Sequence, residues 1–164
     1  MKSPPVNENE FASIIREHAA LINKVCFFYA TDKIPYDDLR QEIYVNLWLG
    51  ISKFRGDCKI STWIYRVAVN SALMAIRNYK SKLETLPIEF TPHELSSEVD
   101  DEQKERLQSL YEIINCLQPI EKALILLWLD EYQYDEIAEI MDMPRNTIAT
   151  KLRRIKEKLI NSNN

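Results

Sequence analysis

The sequence is poor in glycine, histidine and cysteine. It has two glycines, two histidines and three cysteines among 164 residues, and no two cysteines form a CxxC pair. So little glycine, together with few runs of alternating polarity, predicts helices rather than sheets. The scattered cysteines argue against a zinc site or a disulfide framework and fit reduced thiols. Because His18 and His93 are far apart, no nucleophile–base pair stands out, and we expect neither an enzyme nor a bound metal or cofactor.

Long apolar runs are also missing from the sequence. No stretch approaches the roughly 18 apolar residues that a membrane-spanning helix needs. The first residues, MKSPPVNENEF, lack the apolar segment of a signal peptide. The apolar fraction of 46% is nevertheless ordinary for a globular chain. We therefore expect a soluble, cytoplasmic protein with no direct membrane insertion.

The net charge of −4 conceals strong segregation of charge along the chain. Residues 53–82 carry seven basic residues and one acid, whereas residues 83–112 carry two basic residues and nine acids. Residues 121–142 carry one basic residue and seven acids, whereas residues 145–158 carry six basic residues and one acid. Blocks of one sign create local potentials that the net charge hides. Solvated helix faces would explain either basic block alone, but both blocks contain recognisable motifs.

Apolar periodicity predicts an all-α protein made of two small helical domains. In the first domain, residues 8–80, helices are predicted over 8–30, 39–51 and 63–79. Residues 81–104 combine prolines, many acids and no sustained period, which predicts a flexible acidic linker. The second domain, residues 105–162, returns to helical spacing and is predicted to hold four helices.

The last two of these helices have the spacing of a helix-turn-helix. Ile137, Ala138 and Met141 line the inner face of a short helix, and a stripe of four apolar residues follows the turn DMP. That stripe consists of Ile148, Leu152, Ile155 and Leu159. The turn has Asp142 where glycine is common, and aspartate tolerates the left-handed conformation better than most residues.

The outward side of the second helix carries the polar residues of the motif. Residues near the start of a recognition helix reach base edges, and arginine and asparagine suit guanine and adenine. Candidate base-reading residues are Arg145, Asn146, Ala149 and Thr150, with Lys156 also outward; candidate phosphate contacts are Thr147, Lys151, Arg153, Arg154 and Lys158. The alternative is an ordinary helical hairpin with a solvated basic face.

The first domain contains a stretch in which aromatic and basic residues alternate. Such a mixture provides stacking surfaces and cations for unpaired bases and a single-stranded backbone. The aromatic members are Phe54, Trp63 and Tyr65, and the basic members are Arg55, Lys59, Arg66 and Arg77. Arg66, Asn70 and Arg77 share one helix face by their spacing. The alternative is that Trp63 and Tyr65 belong to the core.

Two motifs in the first domain carry a family resemblance. The pattern D-L-x-Q-E-x-x-x-x-x-W precedes F-R-G-D and then T-W-I-Y-R-V-A-x-N. This succession resembles region 2 of bacterial sigma factors, in particular the extracytoplasmic-function (ECF) group. The helix-turn-helix resembles region 4 of the same family, in the expected order and after an acidic linker. The resemblance spans roughly residues 8–160.

The resemblance implies a function for each motif. The first motif would dock on the clamp coiled coil of the largest subunit of core RNA polymerase, through Asp38, Leu39, Gln41, Glu42, Asn46 and Trp48. The second would bind melted −10 promoter DNA, with a flipped base held in the loop, through Phe54, Arg55, Asp57, Lys59, Ser61, Thr62, Trp63, Tyr65, Arg66, Asn70 and Arg77. The recognition helix would read the −35 element.

The resemblance also implies partners. They are core polymerase, including the flap of its second-largest subunit, promoter DNA and an anti-sigma factor. The leading hypothesis is therefore a transcription initiation factor without catalytic residues of its own. The main alternative is a stand-alone helix-turn-helix regulator with an N-terminal sensory or interaction domain, which would need no stacking surface for unpaired bases. A weaker alternative is an RNA-binding adaptor.

Overall fold

A computed structural model describes residues 6–82 and 101–162, and within these ranges the only regular elements are α-helices. The chain separates into two compact units, residues 1–91 and 92–164. The first contains α1 (Glu8–Glu17), α2 (Ala19–Tyr29), α3 (Tyr36–Ile51) and α4 (Ile60–Lys82). The second contains α5 (Asp101–Asn115), α6 (Pro119–Leu129), α7 (Tyr134–Met141) and α8 (Arg145–Ser162). The predicted all-α architecture is confirmed.

The first helix of the chain is shorter than its apolar period predicts. A capping box starts α1, because the Asn7 side chain accepts a hydrogen bond from the Glu10 N–H (2.9 Å) and the Glu10 carboxylate accepts one from the Asn7 N–H (3.2 Å). The helix ends at His18, whose φ of −111° and ψ of 14° leave the helical region. The helix predicted over residues 8–30 is therefore two helices, of which α1 buries no residue and α2 buries five.

Helices α2, α3 and α4 form the core of the first unit. Fully buried side chains alternate among the three helices: Ile22 and Val25, Ile43 and Leu47, Ile64 and Ala68. Burying one large aliphatic side chain stabilises a fold by about 1.5–3 kcal/mol, so the packing of α2, α3 and α4 is the main source of stability in this unit. Both later helices exceed their predicted bounds, since α3 starts directly after Pro35 and α4 runs from Ile60 to Lys82.

The second unit has the four predicted helices. Its core is formed by Tyr111, Ile114, Leu124, Leu127, Ile137, Ile148, Leu152 and Ile155, all essentially inaccessible. Capping boxes start two of its helices, with Glu121 serving α6 and Glu136 serving α7. Of the predicted linker, residues 81–82 and 101–104 are helical, and the rest of that segment, 83–100, lies outside the described residues, so the linker stays a prediction.

The turn of the helix-turn-helix has the geometry that the sequence predicts. Asp142 adopts the left-handed conformation, with φ 52° and ψ 49°. The Met143 N–H donates to the Ala138 carbonyl at 3.0 Å, which satisfies a carbonyl at the end of α7. Helix α8 then begins at Arg145, directly after Pro144. Aspartate thus performs the task that glycine often performs in such turns.

A buried amine lies in the core of the second unit. Lys122 is 1% exposed, and its Nζ donates to the Asn115 Oδ1 at 2.7 Å. Because burial disfavours the charged form, the pKa of Lys122 falls to about 8. In residues 6–82 and 101–162, no helix is long and apolar enough to cross a membrane.

Candidate nucleic-acid interface

Four of the six predicted docking residues form an exposed face on α3. Asp38, Gln41, Glu42 and Trp48 are exposed there, and the Trp48 ring meets the Phe11 ring edge-on at 5.0 Å. Leu39, however, is 2% exposed and belongs to the core, so its predicted contact with a partner is corrected. Its position in the helix places it on the inward stripe with Ile43.

Asn46, the sixth predicted docking residue, has a different environment. It is half-buried, and its Nδ2 donates to the Ser71 Oγ at 2.9 Å. The Ser71 hydroxyl in turn donates to the Val67 carbonyl at 2.7 Å. Asn46 therefore links α3 to α4, and it also lines a groove of about 360 Å³ between the two helices, beside Glu42.

Two large apolar residues at the centre of the α3 face were missed in the sequence analysis. Val45 is 52% exposed and Leu49 is 64% exposed. They are one helical turn apart and follow Gln41 and Glu42 at helical spacing, so all four share one face. Their i, i+4 spacing relative to Gln41 is the signal that could have revealed them. We call Gln41, Glu42, Val45, Trp48 and Leu49 the α3 face.

Phe54 and Trp63 form an aromatic pair where the 52–59 loop meets α4. Their ring centroids are 5.4 Å apart, with the planes inclined at 41°, and both side chains are half-buried. Trp63 also lies against Gly50, where a Cβ atom would come within 3.1 Å of the indole Cζ2. Trp63 thus combines the two alternatives of the sequence analysis, because part of its ring packs against α3 and part remains accessible.

Two predicted −10 contacts are core residues instead. Tyr65 is fully buried and Thr62 is 5% exposed, so both predictions of direct DNA contact are corrected. The helix phase explains this, because Tyr65 shares the inward side of α4 with Ala68 and Val69. The Lys24 ammonium lies 5.4 Å from the centre of the Tyr65 ring, and burial lowers the pKa of Lys24 to about 8.

The polar residues around the aromatic pair remain accessible. Arg55, Asp57 and Lys59 are exposed on the loop, whose Gly56 takes a φ of 78°. On and beside the first turns of α4, Ser61 and Arg66 are half-exposed; Asn70 and Arg77 are exposed further along. The predicted cations are therefore accessible, with Arg55, Lys59 and Arg66 within a few positions of Phe54 or Trp63 in the chain and Arg77 further along α4.

Helix α8 divides cleanly into buried and exposed sides. Ile148, Leu152 and Ile155 have no exposed area. Of the predicted base-reading residues, Arg145, Asn146 and Thr150 are exposed and Ala149 is half-exposed. Of the predicted phosphate contacts, Arg153 and Arg154 are exposed, and Thr147 and Lys151 are half-exposed. The Thr150 hydroxyl donates to the Asn146 carbonyl at 3.0 Å, which orients its side chain along the helix.

Two lysines of α8 contact other helices of the second unit; Lys156, predicted to face outward, is half-buried, whereas Lys158 stays exposed. The Lys156 Nζ lies 4.0 Å from the centre of the Trp128 ring and 3.5 Å from the Tyr134 hydroxyl. The Lys158 Nζ is 2.6 Å from the Glu121 carboxylate. Partial burial alone would raise the pKa of Glu121, but the hydrogen bonds from Lys158 and the Gln118 N–H lower it below its ordinary value. Both lysines thus secure α8 to α6 or α7.

Arg145 has two neighbours that were missed in the sequence analysis. Its Nε lies 3.1 Å from the Asp135 Oδ1, and its guanidinium carbon lies 5.7 Å from the centre of the Tyr134 ring. Both partners come from the first turn of α7. No local sequence pattern predicts this pairing, because it depends on how α7 and α8 cross.

Residues with metal-binding chemistry do not converge. Within residues 6–82 and 101–162, no group of three or more histidine, cysteine or carboxylate side chains could hold a metal ion. The three cysteines are thiols, and burial raises the pKa of Cys26 to about 12. The accessible surfaces of the described residues include the α3 face, the half-buried Phe54–Trp63 pair and the polar outward side of α8.

Both units of the chain match known protein families. Residues 14–82 match the family model for Sigma-70 region 2, and residues 107–159 match that for Sigma-70, region 4. The chain is 30% identical over 146 residues to the ECF RNA polymerase sigma-E factor of Haemophilus influenzae, covering 82% of this chain and 76% of the relative. It is 27% identical over 164 residues to that of Escherichia coli K12, covering 90% and 83%.

Solved structures share the fold. The sigma factor RpoE, solved with the anti-sigma factor NepR from Bartonella quintana, aligns with a TM-score of 0.75 at 15% identity, over 92% of this chain and 94% of that one. CnrH, solved with the cytosolic domain of CnrY, aligns with a TM-score of 0.65 at 15% identity, over 93% and 86%. The two regions together define a sigma factor of RNA polymerase. This chain belongs to the ECF subfamily of those factors.

Proposed function

We propose that this protein binds core RNA polymerase and directs promoter-specific initiation by recognising a −35 element and a melted −10 element. One observation carries the proposal. The chain joins a region 2 unit that exposes an aromatic pair among cations to a region 4 unit that exposes a polar recognition helix. A stand-alone helix-turn-helix regulator would use only the second of these surfaces.

The α3 face is the proposed contact with the polymerase clamp. Protein interfaces commonly have an apolar centre and a polar rim. Val45 and Leu49 supply the apolar centre, and Gln41 and Glu42 supply polar groups beside it. Asp38 extends this rim by one turn toward the start of α3. A coiled coil suits such a surface, because a helical partner can lay its own side chains along the groove beside α3.

The Phe54–Trp63 pair is the proposed site for unpaired −10 bases. An aromatic face stabilises a stacked base by about 1–3 kcal/mol without requiring a particular base. That gain opposes the few kcal/mol needed to unstack a base from the duplex. Arg55, Lys59 and Arg66 would neutralise phosphates of the separated strand. Strand opening would follow from tighter binding of melted than of paired DNA, with no bond made or broken by the protein.

The outward side of α8 is the proposed −35 reader. Arg145 and Asn146 occupy its first turn, where a recognition helix reaches base edges in the major groove. Arg153 and Arg154 lie further along and suit phosphates, which fix position without specifying sequence. An anti-sigma factor is a further proposed partner, since RpoE, which shares this fold, was solved in complex with the anti-sigma factor NepR.

Reconstitution with core polymerase tests the whole proposal. Core polymerase is incubated with the purified chain and a fragmented genomic library, and transcript starts are mapped by sequencing. We expect starts preceded by two shared motifs at fixed separation, and none with core alone. No core binding, or starts without shared motifs, would contradict the proposal. A sharp symmetric footprint by the chain alone would instead favour a stand-alone regulator.

A further inference from the structure

The side chain of Arg145 is held from one side at the start of α8. The Asp135 carboxylate forms an ion pair with it, with 3.1 Å between Nε and Oδ1, and the Tyr134 ring lies 5.7 Å from its guanidinium carbon. The arginine is 58% exposed and the aspartate 81%. An exposed pair of this kind adds little to folding stability, at most about 1 kcal/mol. The main effect of the pair is therefore on the orientation of the Arg145 side chain and not on stability.

The Nε contact leaves the outer donors of Arg145 available. A guanidinium has five N–H groups in a rigid fork, of which Nε carries one and the two terminal nitrogens carry four. Bidentate recognition of guanine uses two N–H groups, directed at O6 and N7 in the major groove. With Nε engaged by Asp135, the terminal nitrogens can still serve a base edge. The contact reduces the rotational freedom that the side chain would otherwise lose on binding.

Asp135 also places a negative charge beside the DNA-reading surface. A carboxylate near phosphates opposes the electrostatic attraction that drives binding to any sequence. The same side chain thus acts twice, since it orients a base-reading arginine and weakens attraction to unrelated DNA. The first effect increases the difference between specific and non-specific binding, and the second weakens the sequence-independent part of both.

We propose that Asp135 is a positioning residue that holds Arg145 for a guanine of the −35 duplex and lowers binding to other sequences. This inference rests on the proposed function of α8 as the −35 reader. It adds Asp135, on the preceding helix, which would affect base preference by holding Arg145 and not by contacting a base itself.

Base selection by four variants tests this role. The full chain is assembled with core polymerase and incubated with duplexes randomised across the −35 region; bound sequences are counted, and affinity for one unrelated duplex is measured. The variants are Asp135→Ala, Asp135→Asn, Arg145→Ala and Asp135→Ala combined with Arg145→Ala, with Glu139→Ala made as a control. Glu139 provides the matched control, because it is an exposed acid on the same helix. Circular dichroism verifies that each variant folds.

The two effects of Asp135 predict a distinct result for each variant. Asp135→Ala should reduce the preference for guanine at one position by about five- to tenfold, which is within the range of one bidentate contact. It should also tighten binding to the unrelated duplex by roughly two- to threefold, because one acid that repels phosphates is lost. Asp135→Asn keeps an amide oxygen in place of the carboxylate beside Nε and should keep most of the preference while sharing the tighter binding. Glu139→Ala should leave the preference intact.

Four results would overturn the inference or its premise. An unchanged guanine preference in Asp135→Ala would show that the carboxylate does not position Arg145. Equal weakening on all sequences would indicate a structural or phosphate-related role instead. In the double variant, the base preference must match that of Arg145→Ala alone, or the two residues act independently. If the wild-type assembly selects no −35 sequence at all, it is the proposed function of α8 that fails.

Discussion

The α3 face and the outward side of α8 are built on opposite chemical plans. At the centre of the α3 face are Val45 and Leu49, each more than half exposed. Between Arg145 and Arg154, the outward side of α8 exposes no large apolar residue. Apolar area is worth exposing where a protein partner will cover it, whereas DNA offers phosphates and polar base edges. By composition, the α3 face therefore suits a protein partner and the outward side of α8 suits DNA.

The interiors of the two units differ as well. The buried polar residues of the first unit are the hydroxyl-bearing Thr31, Thr62 and Ser71, among the residues that the structure describes. The second unit buries the amine of Lys122 instead. A hydroxyl can satisfy itself on a nearby backbone carbonyl, but an ammonium ion loses a large hydration energy on burial. The second unit thus carries a pH-dependent cost that buried hydroxyl groups do not impose.

The largest expected effect comes from charging the α3 face. Val45→Asp with Leu49→Asp should weaken core polymerase binding by at least about a hundredfold, because two carboxylates would be buried without partners. Helicity should be unchanged, since both side chains are exposed. Affinity is measured by fluorescence anisotropy with labelled protein. Ile160→Asp provides the control, since it charges another exposed apolar residue (65% exposed), on α8.

Removing the polar rim tests the same face more gently. Gln41→Ala with Glu42→Ala should reduce core binding by about tenfold or less, because rim groups contribute less than a desolvated centre. Normal binding by this pair, together with normal binding by the charged pair, would rule out the α3 face as the docking surface.

The next largest effect concerns Lys122. Its pKa is about 8 in the folded chain against an ordinary value of 10.5, so between these pH values the unfolded chain holds a proton that the folded chain has released. The free energy of unfolding should therefore rise with pH across this window, by up to about 1.4 kcal/mol per pH unit. Lys122→Met should remove that contribution, and Lys104→Met should keep it.

Urea unfolding at several pH values measures this difference. Trp128 fluorescence reports on the second unit once Trp48 and Trp63 are replaced by phenylalanine. Parallel pH profiles for the Lys122→Met protein and its parent would contradict the assignment of the titration to Lys122.

A smaller effect is expected from the aromatic pair. Phe54→Ala should weaken binding of a single-stranded −10 oligonucleotide to the assembled polymerase by about tenfold, consistent with one lost stacking surface. Duplex −35 binding should stay unchanged. Tyr65→Phe is a matched control, because Tyr65 is fully buried and its ring would remain in place. Equal losses on both DNA substrates would contradict a specific role for Phe54.

The smallest effect should come from a phosphate-binding candidate on α8. Arg154→Ala should weaken −35 binding two- to fivefold on every sequence and reduce the salt dependence by roughly one ion. Arg145→Ala should instead lose preference at one base. A change of base preference in Arg154→Ala would show that the division between reading and positioning residues is wrong.

Local sequence determined the helices and the helix-turn-helix. Ile148, Leu152 and Ile155 are buried as the spacing of the stripe predicts, whereas its fourth member, Leu159, is half-exposed; Asp142 takes the left-handed turn. These features depend on residues within a few positions of each other, so periodicity and backbone preference suffice to predict them. The helix break at His18 escaped prediction, because the apolar spacing continues across it.

Only the tertiary structure decided which side chains remain available for binding. Helix α4 is apolar on much of its circumference, so its period alone could not assign Tyr65 to the core and leave part of Trp63 exposed. The partners of Arg145 and Lys158, Asp135 and Glu121, lie on other helices, 10 and 37 positions away. The sequence by itself determined the elements and their inward stripes, because these follow from local spacing. The crossing of helices decided which polar groups pair, because that depends on distances that no local pattern contains.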